Sequence, residues 1–384
     1  MRRVLITERP DWRTTAEALG FCFHTIEGEP YWDERAYYAF TLQQIEDELE
    51  QPTNELHAMC MDMLVRVINS EQLLSRLGIP DTFYDLIANS WRAGHRHLYG
   101  RMDLSYSGLE PAKLLELNYD TPTSIYESAA FQWGWLEECM ALGWLPAWAD
   151  QFNSIEDRLR DLFASLQIQA PFYFASLQGM EEDKATTDYL AGIAAQVGID
   201  SRYIALEDIG LRGGRFVDLQ QWPVTQLFKL HPWEFIFEEP FGHAIAASGT
   251  RFYEPAWKAI LSNKGILPLL WEQYPHHPNL LECYLDSEPA RAVPKGWVRK
   301  PFFSREGANV SLCTEKGTAL AQPGPYGYGP HVLQKLAPLP CFDGNYTLIG
   351  SWVIGDKAAG IGIREDDSLI TKDSSRFVPH IILD

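Results

Sequence analysis

Residues 98–118 read as two short strands on either side of Gly108-Leu109-Glu110-Pro111-Ala112, a turn that leaves the backbone few alternatives to an antiparallel hairpin. In such a hairpin Glu116 and Asn118, two residues apart, point to the same face, and Asp103 lies in the body of the facing strand. Asp, Glu and Asn are hard oxygen donors. Two carboxylates and one amide leave coordination positions for phosphate oxygens and water, which suits magnesium. Three such side chains on a hairpin equally describe a solvated face, so the rest of the chain has to decide between the two.

Around the hairpin the apolar spacing changes character. From about residue 11 to 100 it is helical, as in 37–49 and 56–73, where Met59, Met63, Leu64 and Val67 recur at three- and four-residue intervals. Residues 124–166 return to that spacing. Next come an apolar run at 171–175, an amphipathic helix at 187–197 and a second run at 202–206, the order of a βαβ unit with a small parallel sheet. No G-x-G-x-x-G accompanies it, which argues against a dinucleotide fold. A third run, 226–230, ends near Pro232. Lys264 and Lys300 each stand beside apolar, strand-like residues. Residues 302–309 (F-F-S-R-E-G-A-N) read as a small polar loop, and 323–330 and 338–340 as Pro/Gly loops. Strands are expected at 346–354 and 359–364 around Gly355-Asp356. The fold class is α+β, in three spans forming one catalytic unit: 1–166, helical with the metal-binding hairpin; 167–258, a central α/β lobe; and 259–384, with the lysines and the lid loop.

Composition narrows the partners. The 384 residues carry 32 Lys plus Arg against 52 Asp plus Glu, a net charge of -20, so nucleic acid and anionic membranes are poor general partners and a cationic ligand is attracted. Six dispersed cysteines without a C-x-x-C pair indicate neither a zinc cluster nor a disulfide framework, and fit a reducing cytosol. Residues 1–10 hold no apolar stretch of signal-peptide length, so the expectation is a soluble, cytoplasmic protein. The 13 tryptophans, spread along the chain, read as core packing rather than a sugar platform.

Lys264 and Lys300 shift the balance at the hairpin. An ammonium set among apolar residues is costly unless it meets an anion, and phosphate is the natural candidate. Backbone N–H groups of the loop after Lys300, with Ser304, Gly307 and Asn309, are suited to fold over phosphates as a lid. The series R-M-D (101–103), E-L-N-Y-D-T-P-T-S (116–124), F-K-L-H-P-W-E (228–234), N-K-G-I-L-P (263–268), R-K-P-F-F-S-R-E-G-A-N (299–309) and G-I-G-I-R-E (360–365) resembles the ATP-grasp synthetase domain of glutathionylspermidine synthase and its shorter bacterial relatives without the amidase half.

That resemblance implies an ATP-grasp-type fold and an ATP- and magnesium-dependent carboxylate–amine ligase working through an acyl phosphate. It implies two magnesium ions on Asp103, Glu116 and Asn118, and a transition-state arginine at Arg101. ATP would touch Arg101, Met102, Asp103, Lys264, Lys300 and Gly307, the hinge Gln334, Lys335, Leu336 and Ala337, and Leu369, Ile370 and Thr371. Substrate contacts would come from Thr121, Thr123, Glu181, Glu182 and Arg364. The family's two serines are threonines here, at 121 and 123, and its peptide-contacting threonine aligns with Leu230, which cannot hydrogen-bond. Glu181 and Glu182 read equally as helix N-terminal charges. The partners implied are a peptide or other carboxylate and an amine, with a polyamine one option. Two other readings stand beside it: a non-catalytic nucleotide-binding protein, and a carbohydrate-active enzyme with Asp103 and Glu116 as its acid/base pair.

Overall fold

The computed structural model describes residues 1–26, 28–288, 290–372 and 374–383. Its largest sheet runs Arg376–Val378, Lys357–Asp366, Asn345–Ile354, Tyr99–Ser105, Lys113–Asn118, antiparallel throughout, with Cys341–Phe342 paired to the start of Asn345–Ile354. The expected hairpin is therefore present, and it forms the edge of a sheet completed by strands more than 200 residues downstream. Helix Gln51–Ile68 packs Leu56, Met59, Cys60 and Met63 into a core shared with Met102, Leu104, Ile349 and Ile361. Alternation along the strand sends Arg101 and Asp103 to the opposite face from Met102.

The βαβ expectation holds. Phe172–Ser176, helix Glu181–Gln196 and Ser201–Ala205 form the unit, and the parallel sheet is completed in the order Arg251–Tyr253, Gln226–Lys229, Phe172–Ser176, Ser201–Ala205. Consecutive strands leave Phe172–Ser176 in opposite directions, so a crevice opens at the carboxyl ends of the central pair, where α/β sheets commonly bind ligands. A third, antiparallel sheet holds Cys283–Asp286, His331–Lys335, Trp297–Pro301, Ser311–Cys313 and Ala319–Ala321.

Two local expectations are corrected. Ala36–Phe40 is a strand, not the start of a helix: it is buried along its whole length between Arg2–Leu5, antiparallel, and His380–Ile382, parallel. Two flanking strands outweigh the helical spacing. The helix begins one residue later, where the Thr41 hydroxyl and the Gln44 side chain form a capping box. Lys264 sits in a turn rather than a strand, with the Asn263 side chain accepting from Gly265 N at 2.8 Å, and helix Ile266–Gln273 follows. All six cysteines are unpaired. No described helix is long and apolar enough to cross a membrane.

Candidate active site

Pairing of the hairpin places Asp103 opposite Glu116 and Arg101 opposite Asn118, so four polar side chains share one face. Arg101 Nε donates to Asp103 Oδ1 at 2.7 Å, and its Nη1 reaches the Thr123 carbonyl at 3.2 Å. Asn118 Nδ2 donates to Asp103 Oδ2 at 3.0 Å. Gly350 faces Asp103 on the next strand, and a Cβ there would stand 2.8 Å from Arg101 Cδ, so its bare backbone makes room for the guanidinium.

The register slips between Asp103 and Leu104 because Leu115 is an extra residue in the edge strand. Such a bulge leaves a backbone group unpaired. The Leu115 carbonyl takes Lys300 Nζ at 2.8 Å, and the neighbouring Leu114 carbonyl takes Gln334 Nε2 at 3.2 Å. The third sheet thus docks onto the free edge of the first and carries Lys300 to the carboxylates. Lys264 arrives from its turn, with Nζ 3.3 Å from Glu116 Oε2 and 2.5 Å from the Ser304 carbonyl. Burial alone would raise the Glu116 carboxyl, but Lys264, Lys300 and Arg101 hold it down at about 2. Burial pushes the Lys300 ammonium down, against the pull of Glu116. Both directions follow from burying a carboxylate among three cations.

These groups line one cleft of about 350 Å³. Of the residues expected at a site, Arg101, Asp103, Glu116, Asn118, Thr121, Thr123, Glu182, Lys264, Lys300, Gly307, Gln334, Lys335, Leu336, Ala337, Arg364, Leu369, Ile370 and Thr371 line it. Met102, in the core, and Glu181, at the start of its helix, are not among the lining residues. One wall is apolar: Val298, Val310, Leu312 and Ile370 form a small buried cluster with Leu336 and Leu369 packed against it. The 302–309 loop closes on this wall. Gly307 has φ +69°, and a Cβ there would lie 2.6 Å from the Thr371 carbonyl oxygen and from Ile370 Cγ2. Arg305 ties the same loop across the cleft, donating to Glu234 at 2.5 Å and to the Thr121 hydroxyl at 2.9 Å.

Arg305 is one of several residues that sequence reasoning did not single out. Its segment was marked, but a lone arginine in a loop carries no signal of what it reaches. Lys229 is another. Wholly buried, it pairs with Asp120 at 2.5 Å, while the other carboxylate oxygen of Asp120 accepts from Trp233 N at 2.8 Å. That network anchors the loop bearing Thr121 and Thr123. A lysine inside the apolar run 226–230 was the available signal, of the same kind as at Lys264 and Lys300. Tyr31 and Glu127 had none: the Tyr31 hydroxyl donates to Glu127 Oε1 at 2.9 Å and lies 3.4 Å from Glu182 Oε1.

The donor set fits a divalent cation on chemical grounds. Asp103, Glu116 and Asn118 bring hard oxygens to one face, and three cations beside them leave room for the charge of a polyphosphate. The relatives that the chain resembles are ligases and synthetases, which makes the class that of enzymes joining carbon to nitrogen. Residues 3–383 match the family described as glutathionylspermidine synthase preATP-grasp, and the chain belongs to that family. A Haemophilus influenzae protein, named as a candidate acid–amine ligase, is 39% identical across 99% of both chains. Trypanothione synthetase from Crithidia fasciculata is 28% identical over 84% of this chain, and the bifunctional glutathionylspermidine synthetase/amidase of Escherichia coli 27% over 93%. The chain spans only 53% and 60% of the length of those two relatives. A glutathione synthetase-like effector from Globodera pallida shares the fold, with a TM-score of 0.57 over 90% of this chain and 89% of its own, at 11% identity.

Proposed function

We propose that the protein is an ATP- and magnesium-dependent carboxylate–amine ligase that activates its acid as an acyl phosphate. The observation that carries this reading is the convergence of Lys264 and Lys300, far along the chain, on the carboxylate hairpin. Asp103, Glu116 and Asn118 would hold magnesium, which when bound neutralises charge on the phosphates. Lys264 and Lys300 would bind phosphate oxygens, and the apolar wall at Val298, Leu312 and Ile370 would receive the adenine beside Gln334–Ala337 and Leu369–Thr371.

A carboxylate is a poor electrophile, so its oxygen first attacks the γ-phosphorus and the bond to ADP breaks. Arg101 lies on the strand that also bears Asp103 and is aimed at the charge developing on the transferring group. The 302–309 loop, held by Arg305 and packed on residues 370–371, keeps water from the acyl phosphate. An amine nitrogen then attacks the acyl carbon and phosphate leaves. The carbohydrate reading leaves Lys264, Lys300 and the 302–309 loop without a role at the carboxylates they surround.

Thr121, Thr123, Glu182 and Arg364 would face the acid and the amine. Leu230 lines the cleft without a polar group, so the acid is read as a small peptide or other carboxylate rather than glutathione in particular. The test is ADP release across a panel of carboxylates, peptides and primary amines, with mass spectrometry of any conjugate and hydroxylamine as a trap. Hydroxamate formation that Glu116→Ala abolishes, at unchanged thermal stability, is the expected result. Binding of ATP and magnesium with no ADP released under any condition would instead indicate a non-catalytic nucleotide-binding protein.

A further inference from the structure

Two histidines and an aspartate that do not line the cleft meet at one point. His57 comes from helix Gln51–Ile68, His97 from the chain entering strand Tyr99–Ser105, and Asp356 from the turn between strands Asn345–Ile354 and Lys357–Asp366. Asp356 Oδ1 lies 3.2 Å from His57 Nε2 and 3.1 Å from His97 Nε2. Both rings are buried, at 3% and 6% exposure, whereas the Asp356 side chain is 73% exposed. Asp356 stands 299 and 259 residues from its two partners and no cysteine takes part, so neither spacing nor the cysteine pattern marks the cluster.

The spacing is that of ligands around a small divalent ion. Donors sharing a tetrahedral zinc at about 2.0–2.1 Å from the metal stand about 3.3 Å apart. The two nitrogen–oxygen separations come close to that value, and all three donor atoms lie within 4.8 Å of one another. Such separations also suit two hydrogen bonds, and it is the aim of the rings that points further. His57 Nδ1 is 2.9 Å from the buried Tyr119 hydroxyl, which donates to a bare Nδ1 or accepts from Nδ1–H; the second arrangement leaves Nε2 with its lone pair toward Asp356. His97 stacks on His57 at 6.0 Å and meets Trp257 edge-on at 5.1 Å, so packing sets its orientation. Its Nδ1 has no hydrogen-bond partner among the described residues, and no group on that side dictates which nitrogen carries the hydrogen. Lys258, the cation facing His97, is paired with Glu254 at 3.2 Å. The exposed edge at Asp356 gives an ion a way in from solvent and leaves its remaining positions to water.

We propose that His57 Nε2, His97 Nε2 and Asp356 Oδ1 bind one divalent transition-metal ion of the zinc type, with water completing its coordination. Two nitrogens and one oxygen suit zinc and its first-row neighbours and are a poor set for magnesium, so this ion differs in kind from one held by the oxygen donors of the cleft. Its effect is structural. It cross-links helix Gln51–Ile68 to the entry of the strand that carries Arg101 and Asp103, and both to the turn that follows the neighbouring strand Asn345–Ile354. The site stands whatever the cleft catalyses.

The test uses the full chain, stripped of metal with a chelator and kept in excess magnesium so that the oxygen donors of the cleft are contested. Titration calorimetry with zinc chloride should find one zinc per chain that Asp356→Ala binds at least about tenfold more weakly. At zinc a hundred times its Kd, denaturant melts should show the wild-type folding equilibrium shifted about a hundredfold toward the folded state. Cobalt(II), as a second probe, should give wild type the visible absorption of a nitrogen–oxygen site that Asp356→Ala and His57→Gln lack. Asp356→Asn keeps an acceptor for both rings, and with it the metal-free cluster, so weaker zinc binding there at unchanged metal-free stability reports the lost ligand and not a damaged fold. Zinc affinity and cobalt absorption equal in wild type and both Asp356 variants would put the ion elsewhere, on the exposed Cys22 and Cys341 or in the cleft, and would overturn the proposal. Zinc that left the wild-type melt unmoved would overturn it as well.

Discussion

Arg101 is a buried cation whose charge is balanced within its own strand. Its guanidinium is buried against Trp352, 5.7 Å from the ring centroid, and its charge is balanced by Asp103 on the same strand. Burial works against that charge, and the Asp103 carboxylate restores it, so the arginine is a fixed cation pointing into the cleft. Arg101→Ala should therefore lower kcat for ADP release by about a hundredfold or more while ATP affinity, measured by titration calorimetry, changes less than about tenfold. Equal losses in rate and affinity would contradict the transition-state role. At this scale legibility was uneven. By type and spacing alone Asp103, Glu116 and Asn118 fit a solvated face as well as a metal site, and it is Lys264 and Lys300, set beside apolar neighbours, that tip the reading. Glu127 resembles any helix glutamate until Tyr31, 96 residues earlier in the chain, is brought to it.

The element most exposed to test is the loop over the cleft. Its closure needs a residue with positive φ and no Cβ at position 307, where the Thr371 carbonyl would otherwise be struck. Gly307→Ala carries roughly 1–2 kcal/mol of backbone strain besides that clash. The loop should be displaced, with ATP affinity reduced about tenfold and cleavage by a protease within 302–309 accelerated; an unchanged affinity would separate the loop from nucleotide binding. The loop itself was legible, since F-F-S-R-E-G-A-N lacks any periodicity. The strand Ala36–Phe40 was not, because its apolar spacing suits a helix and only its two flanking strands decide otherwise.

Taken whole, the molecule ties its C-terminal strand to the interior through His380. The ring is fully buried, with one nitrogen 2.9 Å from Gln132 Oε1 and the other accepting from Phe152 N at 3.1 Å, an arrangement only a neutral imidazole satisfies. Burial lowers its pKa to about 3, and burial and Lys258 lower His97 similarly. The folded value lies below the unfolded one near 6.5, so the unfolded chain binds more protons between about 3 and 6.5 and stability falls as the pH falls through that window. His380 alone should remove roughly 2 kcal/mol between pH 7 and 5. Denaturant melts at the two pH values should show it, and His380→Gln, though less stable at pH 7, should lose less on acidification; equal losses would exclude His380 as the source.

Sequence alone determined what local chemistry can determine: the hairpin with its turn, the βαβ unit, the polar loop, and the order of six motifs along the chain. Each of those features is written in side-chain period, turn preference or residue type along a short stretch of chain. Tertiary structure decided which of the marked residues meet. Lys300 reaches the Leu115 carbonyl across 185 residues, and Tyr31 reaches Glu182 across 151. Those meetings depend on one sheet docking against the free edge of another and on which groups that docking buries, and no local pattern encodes either.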